Sequence, residues 1–187
     1  MRYILASALA LGAFSTPAFA QEAAASFTGP RAEVVAGWDH VKNDGDKKSG
    51  VTYGFGAGYD TAFGNVVLGA EAELTGATTE KCAATATVKG CFQAGRDIYA
   101  GGRIGYAFSP KALVYGKVGY TNARVSAEID TNTSLVTRAT NNLDGIRLGA
   151  GVETTFGKFL GKIEYRYSNY ADNYVRHQVV AGLGVRF

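Results

Sequence analysis

The chain has 187 residues, of which 47% are hydrophobic, 25 are Gly and only 3 are Pro. Its formal net charge of +3 is too small for a dedicated nucleic-acid-binding protein, which needs a basic stripe. Beyond residue 20, no apolar run approaches the roughly 18 residues of a transmembrane helix. The size fits one domain, and frequent Gly together with 12% aromatic residues favours an all-β chain.

The first 20 residues have the pattern of a secretory signal peptide. Arg2 gives a positive start, an apolar run extends from Ile4 to Phe14, and Ala18-Phe19-Ala20 is a small-x-small cleavage site. We therefore expect residues 1–20 to be removed on export to the periplasm. A single domain would then span residues 21–187, with residues 21–30 as a periplasmic lead-in.

Apolar and polar residues alternate with period two along the rest of the chain, which predicts β-strands. In the last segment, for example, Val179, Ala181, Leu183, Val185 and Phe187 share one face. Eight such segments are predicted, at residues 31–41, 50–60, 66–74, 96–108, 113–129, 143–156, 159–169 and 179–187.

The predicted connections alternate regularly between long and short. Long polar loops are expected at residues 42–49, 75–95, 130–142 and 170–176, and short turns around residues 61–65, 109–111 and 157–158. Bacterial outer-membrane barrels have short periplasmic turns and longer external loops. We therefore predict an all-β fold, an eight-stranded antiparallel up-and-down transmembrane β-barrel with both termini in the periplasm.

The two faces of the predicted strands differ in charge. One face is apolar and carries aromatic residues near strand ends, at Tyr59, Tyr106, Phe108, Phe156 and Phe187, as a lipid-facing surface would. A soluble barrel would place its charges outside. The opposite face collects a predicted lumen charge network: Glu33, Glu71, Glu73, Asp97, Arg103, Lys117, Arg147, Glu153, Lys162, Glu164, Arg166 and Arg186. We expect these charges to pair across a narrow lumen, and the alternative is an ion path.

Two cysteines, Cys82 and Cys91, fall in the loop predicted at residues 75–95. Export to an oxidising compartment favours a local disulfide between them. A metal site is the alternative, but the sequence places no His nearby. We expect no metal and no cofactor.

Candidate catalytic residues are few. A lipid-modifying barrel enzyme would need a nucleophilic Ser near a His that a carboxylate orients. The chain has only His40 and His177, no Ser lies two residues from either one, and Asp39 should point to the opposite face from His40. The sequence therefore favours a protein that is not an enzyme.

Three motifs resemble those of the opacity-like porin family of small outer-membrane β-barrel proteins, which is related to the OmpA barrel. They lie at residues 63–74, 143–153 and 162–168, and the resemblance covers the whole mature chain. It implies an eight-stranded barrel in the outer membrane, of a kind described as porin or surface antigen.

The C-terminal residues Gly182, Val185 and Phe187 resemble the assembly signal of that family, which the barrel-insertion machinery reads. The resemblance thus implies contacts with periplasmic chaperones and this machinery during biogenesis. One departure is Val180, where the family's signal has a polar residue.

The function expected from the sequence is a structural or surface-interaction role in the bacterial outer membrane. The external loops would contact an external ligand or host surface, and outer-membrane lipid would surround the barrel. A narrow porin-like channel for ions or small solutes is the first alternative, and a lipid-modifying enzyme is the second.

Overall fold

The computed structural model describes residues 24–43, 46–78, 80–84, 88–131, 135–170 and 175–187. A short 3-10 turn at Ala25–Phe27 precedes the first strand. The strands are β1 (Gly29–Asn43), β2 (Asp46–Phe63), β3 (Val66–Ala77), β4 (Glu80–Ala84), β5 (Val88–Ser109), β6 (Ala112–Thr131), β7 (Leu135–Phe156), β8 (Phe159–Tyr170) and β9 (Val175–Arg186).

Eight of these strands form a closed antiparallel barrel. Their order is β3-β2-β1-β9-β8-β7-β6-β5, and pairing of β3 with β5 closes the ring. The additional strand β4 pairs with the outer part of β5 and belongs to a hairpin beyond the barrel wall. The predicted eight-stranded barrel is therefore confirmed.

Tight turns and both ends of the described chain lie at the same end of the barrel. The turns that follow β2 and β7 contain Gly64 and Gly157, whose φ angles of 62° and 65° suit Gly. The N–H of Phe187 donates to the carbonyl of Pro30 at 2.9 Å, which joins the last residue to the start of β1. In an outer-membrane barrel this is the periplasmic end.

The connections at the opposite end differ from the prediction. Residues 42–49, 75–95 and 130–142 were expected to be long loops, but most of them are paired strand. The β6–β7 ladder, for instance, runs from Ala112 opposite Thr154 to Thr131 opposite Leu135. The loop prediction is wrong here because a hairpin that leaves the membrane has water on both faces, so backbone pairing continues without the apolar alternation that lipid imposes.

The last predicted loop, at residues 170–176, is also shorter than expected. Strand β8 includes Tyr170 and β9 begins at Val175, while residues 171–174 lie outside the described part of the chain. The final strand therefore starts four residues before the predicted Val179, and it ends at Arg186.

Several strands are long enough to rise well above the membrane. Strands β5 and β7 each have 22 residues, whereas a tilted strand needs about 9–11 residues to cross the lipid. About half of β5 and about half of β7 therefore project above the membrane as parts of external hairpins.

The outer surface of the wall is apolar across the membrane and aromatic at its edges. Tyr59, Tyr106, Phe108, Phe156 and Phe187 are exposed near the periplasmic turns. A second group near the external edge consists of Trp38, Tyr53, Tyr120 and Tyr165. Between them lie exposed aliphatic residues, including Val34, Ile104, Val118, Val152 and Leu183. This is the arrangement of a transmembrane barrel with two aromatic girdles.

The N-terminal segment folds into the periplasmic mouth of the barrel. Ala24 and Phe27 are fully buried and pack with Val67, Leu113 and Tyr115. Arg186 Nη1 donates to the Phe27 carbonyl oxygen at 2.6 Å. Residues 24–28 therefore form a plug at the base, and β1 begins at Gly29.

The predicted signal peptide at residues 1–20 lies outside the described residues. In the part of the chain that is described, no helix is long and apolar enough to cross a membrane.

Candidate functional site

The barrel interior contains a balanced set of charges. Among the described residues, eight basic and eight acidic side chains are buried, so the net charge of this set is zero. The basic members are Arg31, Arg103, Lys117, Arg147, Lys162, Arg166, Arg176 and Arg186. The acidic members are Glu33, Asp39, Asp60, Glu71, Glu73, Asp97, Glu153 and Glu164. They form three layers along the barrel axis.

The basal layer lies just inside the plug. Asp60 accepts from Arg31 Nε at 3.1 Å, from Arg103 Nη2 at 2.6 Å and from Arg186 Nη1 at 2.8 Å. Glu153 accepts from Arg103 and Arg186, each at 2.8 Å. Because these residues come from β1, β2, β5, β7 and β9, the layer links strands around the whole circumference.

Lys117 is at the centre of the middle layer. Its Nζ lies 2.7 Å from Glu71 Oε1, 2.9 Å from Glu73 Oε1 and 2.8 Å from Glu164 Oε1. These three carboxylates are close enough together to hold a metal ion. The Lys117 ammonium already supplies the cation that such a cluster needs.

Two further ion pairs of the middle layer join β8 to β1 and to β3. Lys162 Nζ lies 2.7 Å from Glu33 Oε1, and Arg166 Nη2 lies 2.9 Å from Glu73 Oε1. Arg166 Nε also donates to Glu164, and Arg31 Nη2 donates to Glu71. Each carboxylate of the layer thus has at least one cationic partner.

The upper layer is organised around Asp97. Arg147 Nη2 and Arg176 Nη1 lie 2.5 Å and 3.0 Å from Asp97 Oδ2, and the Tyr170 hydroxyl donates to the same oxygen at 2.8 Å. Arg176 also donates two hydrogen bonds of 2.7 Å to Asp39. Thr121 Oγ1 donates to Asp97 Oδ1 at 2.7 Å.

Two buried tyrosines pack against the cations of the lumen. Lys117 Nζ lies 4.7 Å from the centre of the Tyr99 ring, and the Arg103 guanidinium lies 4.9 Å from that of Tyr115. The Tyr115 hydroxyl donates to Glu164 at 2.6 Å. Both rings therefore contact cations of the network, and Tyr115 also forms a hydrogen bond to one of its carboxylates.

All twelve residues of the predicted lumen network have buried side chains inside the barrel. The structure adds four charges that the sequence analysis missed: Arg31, Asp39, Asp60 and Arg176. The alternation of inward and outward residues could have identified two of them, since Arg31 and Asp39 share the inward face with Glu33. Arg176 was missed because its position was assigned to a loop.

The two histidines meet on the outside of the barrel, at the external edge of the membrane. His40 of β1 is directly opposite His177 of β9 in the strand register. His40 Nδ1 lies 3.0 Å from Ser49 Oγ, and His177 Nδ1 lies 2.7 Å from the Tyr165 hydroxyl. Sequence spacing did not reveal the Ser49 contact, because it is made across strands.

Cys82 and Cys91 are directly opposite each other in the β4–β5 pairing. Their side chains lie outside the described part of the structure, and the disulfide between them stays a prediction. The assembly signal at Gly182, Val185 and Phe187 also stays a prediction, and the Phe187 side chain is 75% exposed.

A closed eight-stranded barrel with an apolar outer wall and a charged interior defines a transmembrane β-barrel of the bacterial outer membrane. The chain belongs to the outer membrane protein β-barrel domain family, whose profile matches residues 6–187. It is therefore a protein of the bacterial outer membrane. No curated protein matches its sequence.

Solved structures share the fold at low sequence identity. Ail, the attachment invasion locus protein of Yersinia pestis, crystallised with the heparin analogue sucrose octasulfate, is 18% identical, with a TM-score of 0.59. The match covers 86% of this chain and all of Ail. Neisserial surface protein A is 17% identical with a TM-score of 0.55, and the match covers 86% of this chain and 98% of that protein.

Proposed function

We propose that this protein is a closed outer-membrane barrel that acts through its external hairpins, in a structural or surface-interaction role. The observation that carries the proposal is the interior charge network, whose members are paired with one another and therefore do not define an open ion path. The hairpins are then the part of the barrel that is free to contact a partner.

The interior supports this role because each of its buried charged side chains pairs with an opposite charge on another residue. An eight-stranded barrel is just wide enough for side chains to fill. The pairs Lys162–Glu33, Arg103–Glu153 and Lys117–Glu71 each join strands that have one other strand between them. The pair Arg166–Glu73 joins β8 to β3 on the opposite side of the barrel. At the base, Phe27 covers the mouth and is held by Arg186.

The external hairpins support it because they present long, paired strands above the lipid. Strands β5, β6 and β7 continue as a ladder that reaches Val88, Thr131 and Leu135. Surface segments positioned by a rigid scaffold are common sites of partner binding. Ail, which has the same fold, was crystallised with a heparin analogue, and immobilised heparin is therefore a reasonable first probe for this chain.

A hydrolase is less well supported, although Ser49 and His40 are in contact. A hydrolytic triad uses a carboxylate to orient the His. The neighbour of His40 on its other side is His177, and Asp39 points inward to Arg176. Among the described residues this pair therefore has no carboxylate partner.

Single-channel recording of the purified protein in planar bilayers tests closure. The wild-type protein should give no steady conductance steps. Steps that change in size when Arg103 or Arg147 is replaced by Glu would support the narrow channel instead. Heat-shifted gel mobility of each variant controls for folding.

A trimmed variant tests the role of the hairpins. Joining Arg124 to Asn142 by a two-residue turn removes the outer part of the β6–β7 hairpin and keeps the membrane-spanning part. Bacteria that display the wild-type barrel should adhere to immobilised heparin or to host cells, and the trimmed barrel should fold but lose this adhesion. Equal adhesion of both proteins would contradict the proposal for this hairpin.

A further inference from the structure

The outer face of the barrel carries a pair of imidazoles that the proposed function does not use. His40 and His177 occupy directly opposed positions on β1 and β9, and both side chains are partly exposed. Opposed residues in an antiparallel ladder have Cβ atoms roughly 4.5–5.5 Å apart. The two rings, called here the His pair, are therefore within reach of a common ligand.

The neighbours on either side orient both rings. Ser49 lies on β2 and Tyr165 on β8, so the hydroxyl partners of the two Nδ1 atoms flank the His pair from opposite sides. Because the two nitrogens of an imidazole point to different sides of the ring, each Nε2 is directed away from its flanking hydroxyl. Tyr167 packs edge-on against His177 with ring centres 5.3 Å apart, which limits rotation of that ring.

The same contacts are compatible with the tautomer that a metal ligand requires. A hydroxyl oxygen can accept a hydrogen bond from Nδ1–H, and the lone pair of the imidazole is then on Nε2. Metal-binding His residues usually donate their other N–H to such a second group. Ser49 and Tyr165 supply this group on the two sides of the His pair.

We propose that the His pair binds one divalent transition-metal ion, of the class Zn²⁺, Ni²⁺ or Cu²⁺, through Nε2 of His40 and Nε2 of His177. Imidazole selects these ions over Mg²⁺ and Ca²⁺, which prefer oxygen ligands. Two protein ligands leave coordination positions for water or for an oxygen ligand at the membrane surface. The interior carboxylates do not compete, because Lys117 and the arginines neutralise them.

Electron paramagnetic resonance of Cu²⁺ bound to the full chain in detergent micelles, with any affinity tag removed, tests this proposal. We expect one ion per chain and a spectrum showing two nitrogen ligands. His40→Ala and His177→Ala should each weaken binding at least ten-fold and remove one nitrogen from the spectrum. Competition by Zn²⁺ should follow the same pattern.

Two further variants separate a metal site from general effects. Ser49→Ala should weaken binding but keep both nitrogens in the spectrum, since it removes only the partner of His40 Nδ1. Asn122→Ala, another polar change near the external edge, should leave binding unchanged. The proposal is overturned if the double variant His40→Ala/His177→Ala binds Cu²⁺ as tightly as the folded wild-type protein, or if the wild-type spectrum shows fewer than two nitrogens.

Discussion

Arg176 holds Asp39 by two hydrogen bonds of 2.7 Å across the seam where the first and last strands of the barrel meet. Both side chains are buried, and the two residues are 137 positions apart in the chain. A two-pronged guanidinium–carboxylate bond fixes orientation as well as distance. The seam is therefore joined by side chains in addition to the backbone ladder between β1 and β9.

Replacing one member of this pair should destabilise the protein strongly, because the other member then stays buried with less opposite charge beside it. Asp39→Asn and Arg176→Met should each lower the free energy of unfolding by about 3–5 kcal/mol. The double variant should lose clearly less than the sum of the two. Urea unfolding in lipid vesicles measures all three values, and strict additivity would show that the pair is not coupled.

Lys117 should be the most sensitive cation of the middle layer, because it compensates Glu71, Glu73 and Glu164 together. Lys117→Met leaves these carboxylates close to one another and should cost about 3–5 kcal/mol of unfolding free energy. Adding Glu164→Gln removes one of the three charges and should restore part of that loss. A double variant less stable than Lys117→Met would contradict this reading of the cluster.

Gly119 should not accept a side chain, because a Cβ at this position would collide with the Ala100 carbonyl oxygen and lie 2.7 Å from the Tyr99 ring. We expect Gly119→Ala to cost about 1–3 kcal/mol, as overpacking of a filled interior does. Gly116 of the same strand is the matched control, since the nearest atom to its Cβ would be 3.8 Å away. Equal losses of unfolding free energy in the two variants would show that local crowding is not the cause.

A charged side chain at Leu183 tests whether this part of the outer wall faces the middle of the bilayer. The Leu183 side chain is 70% exposed, and it lies midway along β9 between Phe187 at the base and Val179, which is level with Trp38. Leu183→Arg should cost roughly 2–4 kcal/mol in lipid vesicles, whereas Phe159→Arg, beside a periplasmic turn, should cost about 0–1 kcal/mol. Similar costs for both variants would mean that Leu183 is not near the middle of the bilayer.

The sequence predicts the barrel well because lipid imposes a strict period of two on each crossing strand. Leu183 and Phe156 are correctly assigned to the outer face by parity alone. Above the membrane this constraint is absent, so paired residues such as Thr131 and Leu135 could not be distinguished from a loop. Partners such as Asp39 and Arg176 could not be predicted, since they depend on how β1 meets β9 around the barrel.

Placement of the histidines shows the same limit. His40 and His177 can each be assigned to the external end of a strand from the sequence, but their direct opposition is a property of the closed seam. The contact of His40 with Ser49 likewise depends on the β1–β2 register. Local patterns specify which face a residue takes, and tertiary register specifies its neighbours.

The balanced set of interior charges helps to fix the register between neighbouring strands of the barrel. If one strand slipped by two residues against its neighbour, the outer wall would still show aliphatic side chains to lipid, because residues such as Val179, Ala181 and Leu183 are nearly equivalent there. The same slip would pull Lys162 away from Glu33 and Arg103 away from Glu153, and would leave buried charges uncompensated. Several strand registers would therefore satisfy lipid contact equally well. Only the observed register also keeps the interior ion pairs together.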